Sequence, residues 1–357
     1  MIGSDASRGV LNRANSSPLA HFDVLGGVAE FEDDMRYVSR FFCLSHLSLL
    51  ALVLIAPGVA QAGSWREGAP MTTARANAGG VLVGSDLYVI GGSGTAGPRS
   101  LTEIYDTLGD IWRAAAALPV GREQFGIASD GAHIFVAGGY ETTGPEGSQD
   151  SQSNALWIFD LKSGAWISGT PMPASRVGLT LAYAKGKVYA IGGRGPNAAQ
   201  IFVYDVAQKS WSLAKFSDPD PRSSGAAVVD GDSIYVIGGM DGHGASSRVD
   251  ILDVSRGIFR NGPALPAPRE GHVAALVDGE IHLSGGQSLT PPKSYPDHFV
   301  LDLKTSQWRR EAPLPTARHG SVAAGAQGKF FVVGGAPGAG VYTVFTSSDV
   351  VDIYSKQ

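Results

Sequence analysis

Tyr235-Val236-Ile237-Gly238-Gly239 is one of six copies of an aromatic or apolar run that ends in a pair of glycines. The first glycine of each pair stands at 91, 138, 192, 238, 285 and 334, so successive copies are 47, 54, 46, 47 and 49 residues apart. Self-similarity at about this period is typical of propellers, solenoids and arrays, in which each repeat is one supersecondary unit.

The fourth copy shows the structure expected of one repeat. Residues 222–229 predict a first strand, Asp230-Gly231 a two-residue hairpin turn, 234–239 a second strand, 249–253 a third and 258–260 the start of a fourth. No stretch after residue 62 has a convincing helical period. Four antiparallel strands per repeat and six repeats predict an all-β, six-bladed propeller with four-stranded antiparallel blades.

The two ends of the repeat region complement each other. Trp65 lies ahead of the first glycine pair without the strands that normally precede such an aromatic. The sixth repeat has a third strand at 350–354 and then ends without its own tryptophan. We therefore expect the segment around Trp65 to be the outer strand of the last blade, which closes the ring and leaves no open sheet edge in that blade.

The repeat resembles the kelch family. The resemblance covers 63–357 and rests on the glycine pairs together with two further features. An aromatic-Asp pair ends the third strand, and a tryptophan follows it, as in Tyr105-Asp106 with Trp112, Phe159-Asp160 with Trp166 and Tyr204-Asp205 with Trp211. The departures are Phe259 in place of a tryptophan, Leu252 and Leu301 before their aspartates, and Tyr354-Ser355 at the end. The resemblance implies a kelch-type propeller. In such propellers, ligands and partner peptides commonly bind the face formed by the loops between strands two and three and between strand four and the next strand one.

The segment before the repeats has the pattern of a targeting sequence. Residues 1–34 are polar and aperiodic, and we interpret them as disordered or as an extension from a misplaced start codon. From Met35 a basic stretch, an apolar run at 41–55 and Ala60-Gln61-Ala62 follow in the order of a Sec-type signal peptide. We expect cleavage after Ala62, a propeller at 63–357, periplasmic or secreted localisation and no stable membrane insertion; a membrane anchor is the alternative.

Composition excludes several function classes. The net charge of −5 without a basic block argues against nucleic acid as a partner. The single cysteine, Cys43, lies inside the predicted signal peptide, so a copper-radical oxidase with a Cys–Tyr cross-link is excluded. Glu146, Asp150 and Asn154 resemble the iron-site spacing of kelch specifier proteins, but Asn154 stands where histidine is expected. No metal or other cofactor is therefore expected.

Neither the glycine pairs nor the outer aromatics are expected to bind ligands. A phosphate-binding loop needs a helix after its glycines, and none is predicted after any copy. Glycine is needed where backbone turns sharply or approaches another segment. The tryptophans of the outer strands are interpreted as packing between blades.

An arginine recurs at the start of the first strand in every repeat. The six are Arg75, Arg122, Arg176, Arg222, Arg269 and Arg318. One interpretation is a ring at the channel mouth that binds an anion, because guanidinium groups match carboxylates. The other is structural, with each arginine bound to loop carbonyls or to a carboxylate. On the first interpretation, the ligand site also includes Tyr140, Arg194 and Gln287, which follow glycine pairs.

Catalytic candidates are few. Glu123 and Glu270 belong to opposite blades of a six-fold ring, and His272 and His319 to neighbouring ones. We therefore expect a binding or interaction module for an anionic small molecule, glycan or peptide, with another protein as a further candidate partner. The alternative is a mutarotase or epimerase for an acidic sugar, resembling the sialic acid mutarotases built on kelch propellers, with those four side chains as proton carriers.

Overall fold

The computed structural model describes residues 63–142 and 150–356. The predictions for 1–34, for the signal peptide at 35–62 and for the loop around Glu146 lie outside this part of the chain. Within the described part, no helix has the length and apolarity needed to cross a membrane.

The described residues form six antiparallel four-stranded sheets, here called blades 1 to 6, with strands a to d from the channel outward. This confirms the predicted all-β, six-bladed propeller with four-stranded antiparallel blades. Blade 1 comprises Gly79–Val83, Asp86–Ile90, Thr102–Asp106 and Ile111–Ala114. Blade 2 comprises Gly126–Ser129, His133–Ala137, Leu156–Asp160 and Ala165–Ser168. Blade 3 comprises Thr180–Ala184, Lys187–Ile191, Gln200–Asp205 and Ser210–Ser217.

The remaining three blades follow the same order. Blade 4 comprises Ala226–Asp230, Ser233–Ile237, Val249–Asp253 and Ile258–Asn261. Blade 5 comprises Glu270–Val277, Glu280–Leu289, His298–Asp302 and Gln307–Glu311. Blade 6 comprises Val322–Ala326, Lys329–Val333, Val351–Ser355 and, as strand d, Ser64–Gly68.

Short elements lie in the loops near the glycine pairs. They are the ladders of Ser93–Gly94 with Gly97–Pro98, of Arg122–Glu123 and Asp150–Gln152 with Tyr140–Thr142, of Met240–Asp241 with Gly244–Ala245, and of Pro292–Ser294 with the end of strand b in blade 5. A 3₁₀ helix spans Gly340–Phe345 in the loop of blade 6. These elements lie on one face of the ring, which we call the loop face.

Both ends of the propeller meet in blade 6, as predicted. Ser64–Gly68 pairs antiparallel with Val351–Ser355, and Trp65 lies opposite Tyr354 in the register. The indole Nε1 of Trp65 also donates a hydrogen bond of 2.7 Å to the Ala312 carbonyl of blade 5. The ring is therefore closed by pairing between the two ends of the repeat region.

The outer aromatics bind each blade to the one before it. Trp112, Trp166, Trp211 and Trp308 donate from Nε1 to backbone carbonyls just beyond the preceding blade, those of Ala69, Ala116, Thr170 and Pro263, over 2.7–2.9 Å. Phe259 has no such donor and instead packs against Phe216. The predicted packing between blades is thus accompanied by a hydrogen bond wherever the outer aromatic residue is tryptophan.

The glycine pairs let successive blades approach closely at the loop face. The second glycine of each pair donates its backbone N–H to the carbonyl of the arginine that begins the next blade, and Gly335 donates to Arg75 across the closure. At Gly138, where φ is +72°, an added Cβ would lie only 2.5 Å from the Arg176 carbonyl oxygen. Glycine is needed here because a side chain would collide with backbone.

A second set of hydrogen bonds closes around the axis. The residue two positions after each arginine donates its backbone N–H to the carbonyl of its counterpart in the preceding blade, over 2.7–3.1 Å. The six members are Asn77, Gln124, Gly178, Ser224, Gly271 and Gly320. All six have positive φ, between +52° and +65°. We call this closed circle the axial ring; it lies at the mouth of the channel.

Candidate functional site

The six repeated arginines do not face the channel. Each is at most 5% exposed, and their guanidinium groups lie inside the blades. The expectation that they form a ligand-binding ring at the mouth is therefore corrected in favour of the structural interpretation. Their backbone lies at the mouth, but their side chains turn away because each finds acceptors within its own blade.

In blades 1, 4 and 6 the acceptor is a carboxylate from the second position of strand c. Arg222 contacts Asp250 at 2.6 Å and Arg318 contacts Asp352 at 2.5 Å, and Arg75 pairs with Glu103 in the same way. These acids stand in strands of which all but the last residue are buried. Each of these three blades thus contains a buried ion pair.

Blades 2 and 5 carry an aromatic residue at that strand position and recruit a carboxylate from a loop. Arg122 contacts Glu141 at 2.5 Å, and Arg269 contacts Asp297 at 3.2 Å. The guanidinium carbon of Arg269 also lies 4.9 Å from the centre of the Phe299 ring. In both blades a loop carboxylate replaces the strand carboxylate, and in blade 5 a cation–π contact accompanies it.

Blade 3 differs because Arg176 forms no salt bridge among the described residues. Its guanidinium lies over the Phe202 ring, with its carbon 4.1 Å from the centre, and donates to the carbonyls of Asn197 and Gln200 at 2.6 Å each. Burial lowers the pKa of Arg176 to about 10. The side chain is still charged at neutral pH, held by backbone dipoles and an aromatic face.

A cavity of about 310 Å³ opens at the loop face, around the axial ring. Its lining includes five of the residues singled out in the sequence: Arg194, Gln287, Glu270, His272 and His319. Asn77 and Gln124 of the axial ring add amide groups. The volume is at the lower end of the usual range for small-ligand pockets, about 300–1,000 Å³.

Arg194 is the exposed cation of this cavity. It follows the glycine pair of blade 3, and its Nη2 donates to Gln124 Oε1 at 3.3 Å, while Nη1 donates to Ser223 Oγ at 3.5 Å. It forms no salt bridge within the part of the chain that the structure describes. Its guanidinium is therefore held in place by neutral partners and keeps donors for a ligand.

Glu270 is the carboxylate of the cavity lining. It begins strand a of blade 5, is 4% exposed and accepts one hydrogen bond of 3.4 Å from Gln287 Nε2. Burial raises the pKa of Glu270, against the opposing effects of Arg194 and Gln287. A carboxyl group with a raised pKa and few partners is suited to exchange a proton with a bound molecule.

Glu123 and Tyr140 are not part of the cavity lining. The Glu123 carboxylate accepts hydrogen bonds from Asn77 Nδ2, at 3.0 Å, and from Ser93 Oγ, and Tyr140 lies opposite Glu123 in a short ladder. The expectation that Glu123 acts as a proton carrier together with Glu270 is therefore corrected. Glu123 is engaged by neighbouring polar groups, and Glu270 alone of the two lines the cavity.

Both predicted histidines reach the cavity but are buried. Burial lowers the pKa of His272 to about 3, assisted by Arg269, and lowers that of His319 to about 4. His319 contacts Ser294 Oγ at 3.2 Å through Nδ1 and Thr343 Oγ1 at 2.9 Å through Nε2. Both imidazoles are neutral at pH 7, and His319 connects the loops of blades 5 and 6.

The 3₁₀ helix of blade 6 forms a wall of the cavity, and none of its residues is among the sequence-predicted site residues. The backbone N–H of Gly340 donates to Gln287 Oε1 at 3.0 Å, and Thr343 contacts His319. The signal in the sequence was the length of the loop that contains this helix, without indication of which residues turn inward. Within 63–142 and 150–356, no three His, Cys, Asp or Glu side chains gather as metal ligands.

Comparisons with known proteins agree with the fold. A model for the KLHDC2/KLHL20/DRC7 Kelch-repeats domain matches residues 178–354, and a Kelch motif model matches 74–119. The solved structure entitled "Structure of YjhT" superposes with a TM-score of 0.68 over 79% of this chain and 95% of that one. The sequence identity is 16%, so this likeness concerns the fold alone.

Curated relatives share part of the chain. Kelch-like protein terF of Aspergillus terreus is 29% identical over 179 residues, which are 46% of this chain and 39% of that protein. Kelch-like protein 35 of Mus musculus is 28% identical over 132 residues, or 36% of this chain and 22% of that protein. This chain thus matches less than half the length of either relative. With six blades built on the repeated glycine pairs, and with both family models matching, the chain belongs to the kelch-repeat family.

Proposed function

We propose that this propeller is a binding module that holds a carboxylate-bearing small molecule, glycan or peptide in the loop-face cavity, with Arg194 as the anchoring cation. Kelch propellers are generally protein-interaction modules. The observation that carries the proposal is the contrast among the arginines: the six repeated ones are buried, whereas Arg194 is exposed and lines the cavity. If the segment at 35–62 directs export, the ligand is met in the periplasm or outside the cell.

The remaining lining supports a polar ligand of modest size. Amide groups of Asn77, Gln124 and Gln287 surround the cavity and offer both donors and acceptors. A cavity of about 310 Å³ accommodates a monosaccharide or a short peptide segment rather than a folded domain. Specific binding of such ligands typically depends on a few placed polar groups in this way.

Replacing Arg194 with glutamine should weaken binding of the ligand about 10- to 100-fold, because a charge-assisted hydrogen bond is lost. The full chain would be screened by thermal shift against acidic monosaccharides and carboxylate-bearing peptides, and the hits titrated by calorimetry. Arg260→Gln is the matched control, since Arg260 is an exposed arginine on strand d of blade 4 that does not line this cavity. Equal affinity of the Arg194→Gln and Arg260→Gln variants would contradict the proposal.

The second candidate function is mutarotation or epimerisation of an acidic sugar. The position of the Glu270 carboxyl group in the cavity lining, with a raised pKa, favours it. Ring opening at an anomeric centre needs a group that takes up and returns a proton. Glu270 lines the same cavity as Arg194, and burial raises the pKa of its carboxyl group toward the range useful for that step. Both histidines have lowered pKa values and are poorer proton donors at neutral pH.

Replacing Glu270 with glutamine should slow catalysed anomer exchange at least about 100-fold, the typical loss when a general acid–base group is removed. Exchange would be followed by NMR on sialic acid and glucuronate with micromolar full chain. Glu123→Gln serves as the control, because Glu123 does not line the cavity. No acceleration by the unmodified chain would exclude the enzymatic candidate while leaving the binding proposal open to its own titration.

A further inference from the structure

Two buried histidines of blade 5 occupy positions that the other blades fill largely with apolar residues. His282 lies three residues before the glycine pair of its blade, and His298 begins strand c. The residues equivalent to His282 are Tyr88, Phe135, Tyr189, Tyr235 and Phe331. The residues equivalent to His298 are Thr102, Leu156, Ile201, Val249 and Val351. Blade 5 therefore has an imidazole pair where packing elsewhere is almost entirely apolar.

The two rings form a directional hydrogen-bond chain. His298 Nδ1 lies 3.3 Å from the Ala312 carbonyl oxygen, so this nitrogen carries the proton and donates it. His298 Nε2 is then an acceptor, and it lies 3.0 Å from His282 Nδ1, which must donate. His282 Nε2 is left unprotonated, buried and without a hydrogen-bond partner among the described residues. Both imidazoles are neutral in this arrangement.

The pair faces the blade that closes the ring. The centre of the His298 ring lies 4.5 Å from that of Tyr354, 5.2 Å from Trp65 and 5.4 Å from Phe330, all in blade 6. We call this contact between blades 5 and 6 the seam. Trp65 belongs to the N-terminal closing strand and Tyr354 to the strand with which it pairs, so the seam depends on the closure.

The charged groups around the pair already form salt bridges and hydrogen bonds with other side chains. Glu280 binds Arg309 at 2.6 and 2.8 Å and also pairs with Lys356. Glu311 accepts from Tyr354 Oη at 2.7 Å and from Arg309 at 2.9 Å. The nearest carboxylate oxygen to the free His282 Nε2 is that of Glu280, 4.0 Å away. An added proton on the pair therefore meets no ready acceptor.

We propose that this histidine pair makes closure of the propeller sensitive to pH, so that acid loosens the seam between blade 5 and blade 6. A proton on His298 Nε2 would set two donors against each other at the 3.0 Å contact. A proton on His282 Nε2 would bury a cation whose nearest carboxylate among the described residues, that of Glu280, is shared by Arg309 and Lys356. Separation of the seam lets water solvate either charge.

The direction of the effect follows from linkage. Burial lowers the pKa of His282 to about 3 and that of His298 to about 4, below the ordinary value of 6.5. In the separated seam the rings titrate near their ordinary pKa and bind protons more readily. Their contribution to closure is therefore complete above pH 6.5 and decreases as the pH falls toward 4. Each histidine increases the opening equilibrium by up to about tenfold per pH unit in this window.

Hydrogen exchange on the full chain at pH 7.5, 6 and 5, corrected for the intrinsic exchange rate, tests the proposal. In the unmodified protein, protection of 64–68 and 351–355 should fall at least about tenfold between pH 6 and 5. In the double variant His282→Tyr/His298→Val, which adopts residues found at these positions in other blades, protection should be nearly independent of pH. His243→Asn, an exposed loop histidine, is the control and should behave like the unmodified protein.

Parallel loss of protection in the double variant and the unmodified protein would overturn the proposal. If the double variant does not fold, NMR titration of the imidazole C2 protons in the unmodified chain decides the question. Two histidines that remain neutral down to about pH 4.5 in the closed protein support it, and titration of both near pH 6.5 without loss of seam protection overturns it.

Discussion

Replacing Asp352 with asparagine is expected to lower the free energy of unfolding by about 3–5 kcal/mol, because it leaves the Arg318 guanidinium buried without a counter-charge. Both side chains are 1% exposed, and their closest atoms are 2.5 Å apart. Asp352 lies in the strand that pairs with the N-terminal closing strand, opposite Glu67 in the register. The loss should therefore appear both as lower global stability and as weaker protection of the closure. Urea unfolding of the full chain measures the first quantity.

An exposed ion pair provides the comparison for this variant. Lys185 and Asp232 also form a salt bridge, but their side chains are 52% and 47% exposed. Asp232→Asn should change the free energy of unfolding by less than about 1 kcal/mol. Similar losses in the Asp352 and Asp232 variants would mean that burial of the ion pair does not make its disruption more costly to the free energy of unfolding.

The second large effect is expected at the glycine pairs. Gly138→Ala should destabilise the protein by about 2–4 kcal/mol, combining a residue with positive φ, a collision at a well-packed contact and a weakened hydrogen bond between blades. The added Cβ would meet the Arg176 carbonyl oxygen at 2.5 Å and Leu179 Cδ2 at 2.9 Å. Backbone and packed side chain on the neighbouring blade leave it no room. Thermal and urea unfolding measure the change.

Gly164→Ala separates the conformational cost from the collision. Gly164 has a φ of +68°, close to the +72° of Gly138, but an added Cβ there has no neighbour within 4 Å. We expect a loss of about 1–2 kcal/mol at Gly164, the cost of the left-handed conformation alone. If the two variants were equally destabilised, close approach between blades would not be the reason for the glycine pair.

Features repeated in every blade could be predicted from the sequence. The glycine pairs, the Asp230-Gly231 type of turn and the outer tryptophans recur at similar offsets, and each has a local physical cause that acts in every copy. Closure through Trp65 followed from counting strands at the two ends. The fold is therefore specified by short-range rules applied six times, and the structure confirms it.

The sequence analysis left the direction of the arginine side chains open between a ligand-binding ring and a structural role, although a signal that decides it exists. Counted three residues back from the end of strand c, the residue is Glu103, Asp250 or Asp352 in three blades and an aromatic residue in the others. A carboxylate in the middle of a buried strand requires a cation nearby, and the repeated arginine is the cation within reach. Position along the chain places the backbone of these arginines, whereas the acceptors elsewhere in the blade decide where the guanidinium points.

The cavity was predicted only in part, because it is built from unrepeated residues. Arg194 and Gln287 were recognised because they follow glycine pairs, and Glu270 as a catalytic candidate in the blade opposite Glu123. Thr343, however, comes from a loop without counterpart in other blades. Loops of unequal length have no periodic pattern from which to infer which side chains turn inward. The residues that distinguish this propeller from others are thus the ones its repeats describe least.

The axial ring has an electrostatic consequence for whatever enters the channel. All six N–H groups point to the preceding blade, so the peptide dipoles follow one another head to tail around a circle. The potential of a dipole vanishes along the direction perpendicular to it, and the tangential components therefore cancel at the centre. The tangential component of the backbone circle therefore neither attracts nor repels an ion on the axis, so charged side chains of the cavity lining, such as Arg194 and Glu270, contribute to the field there.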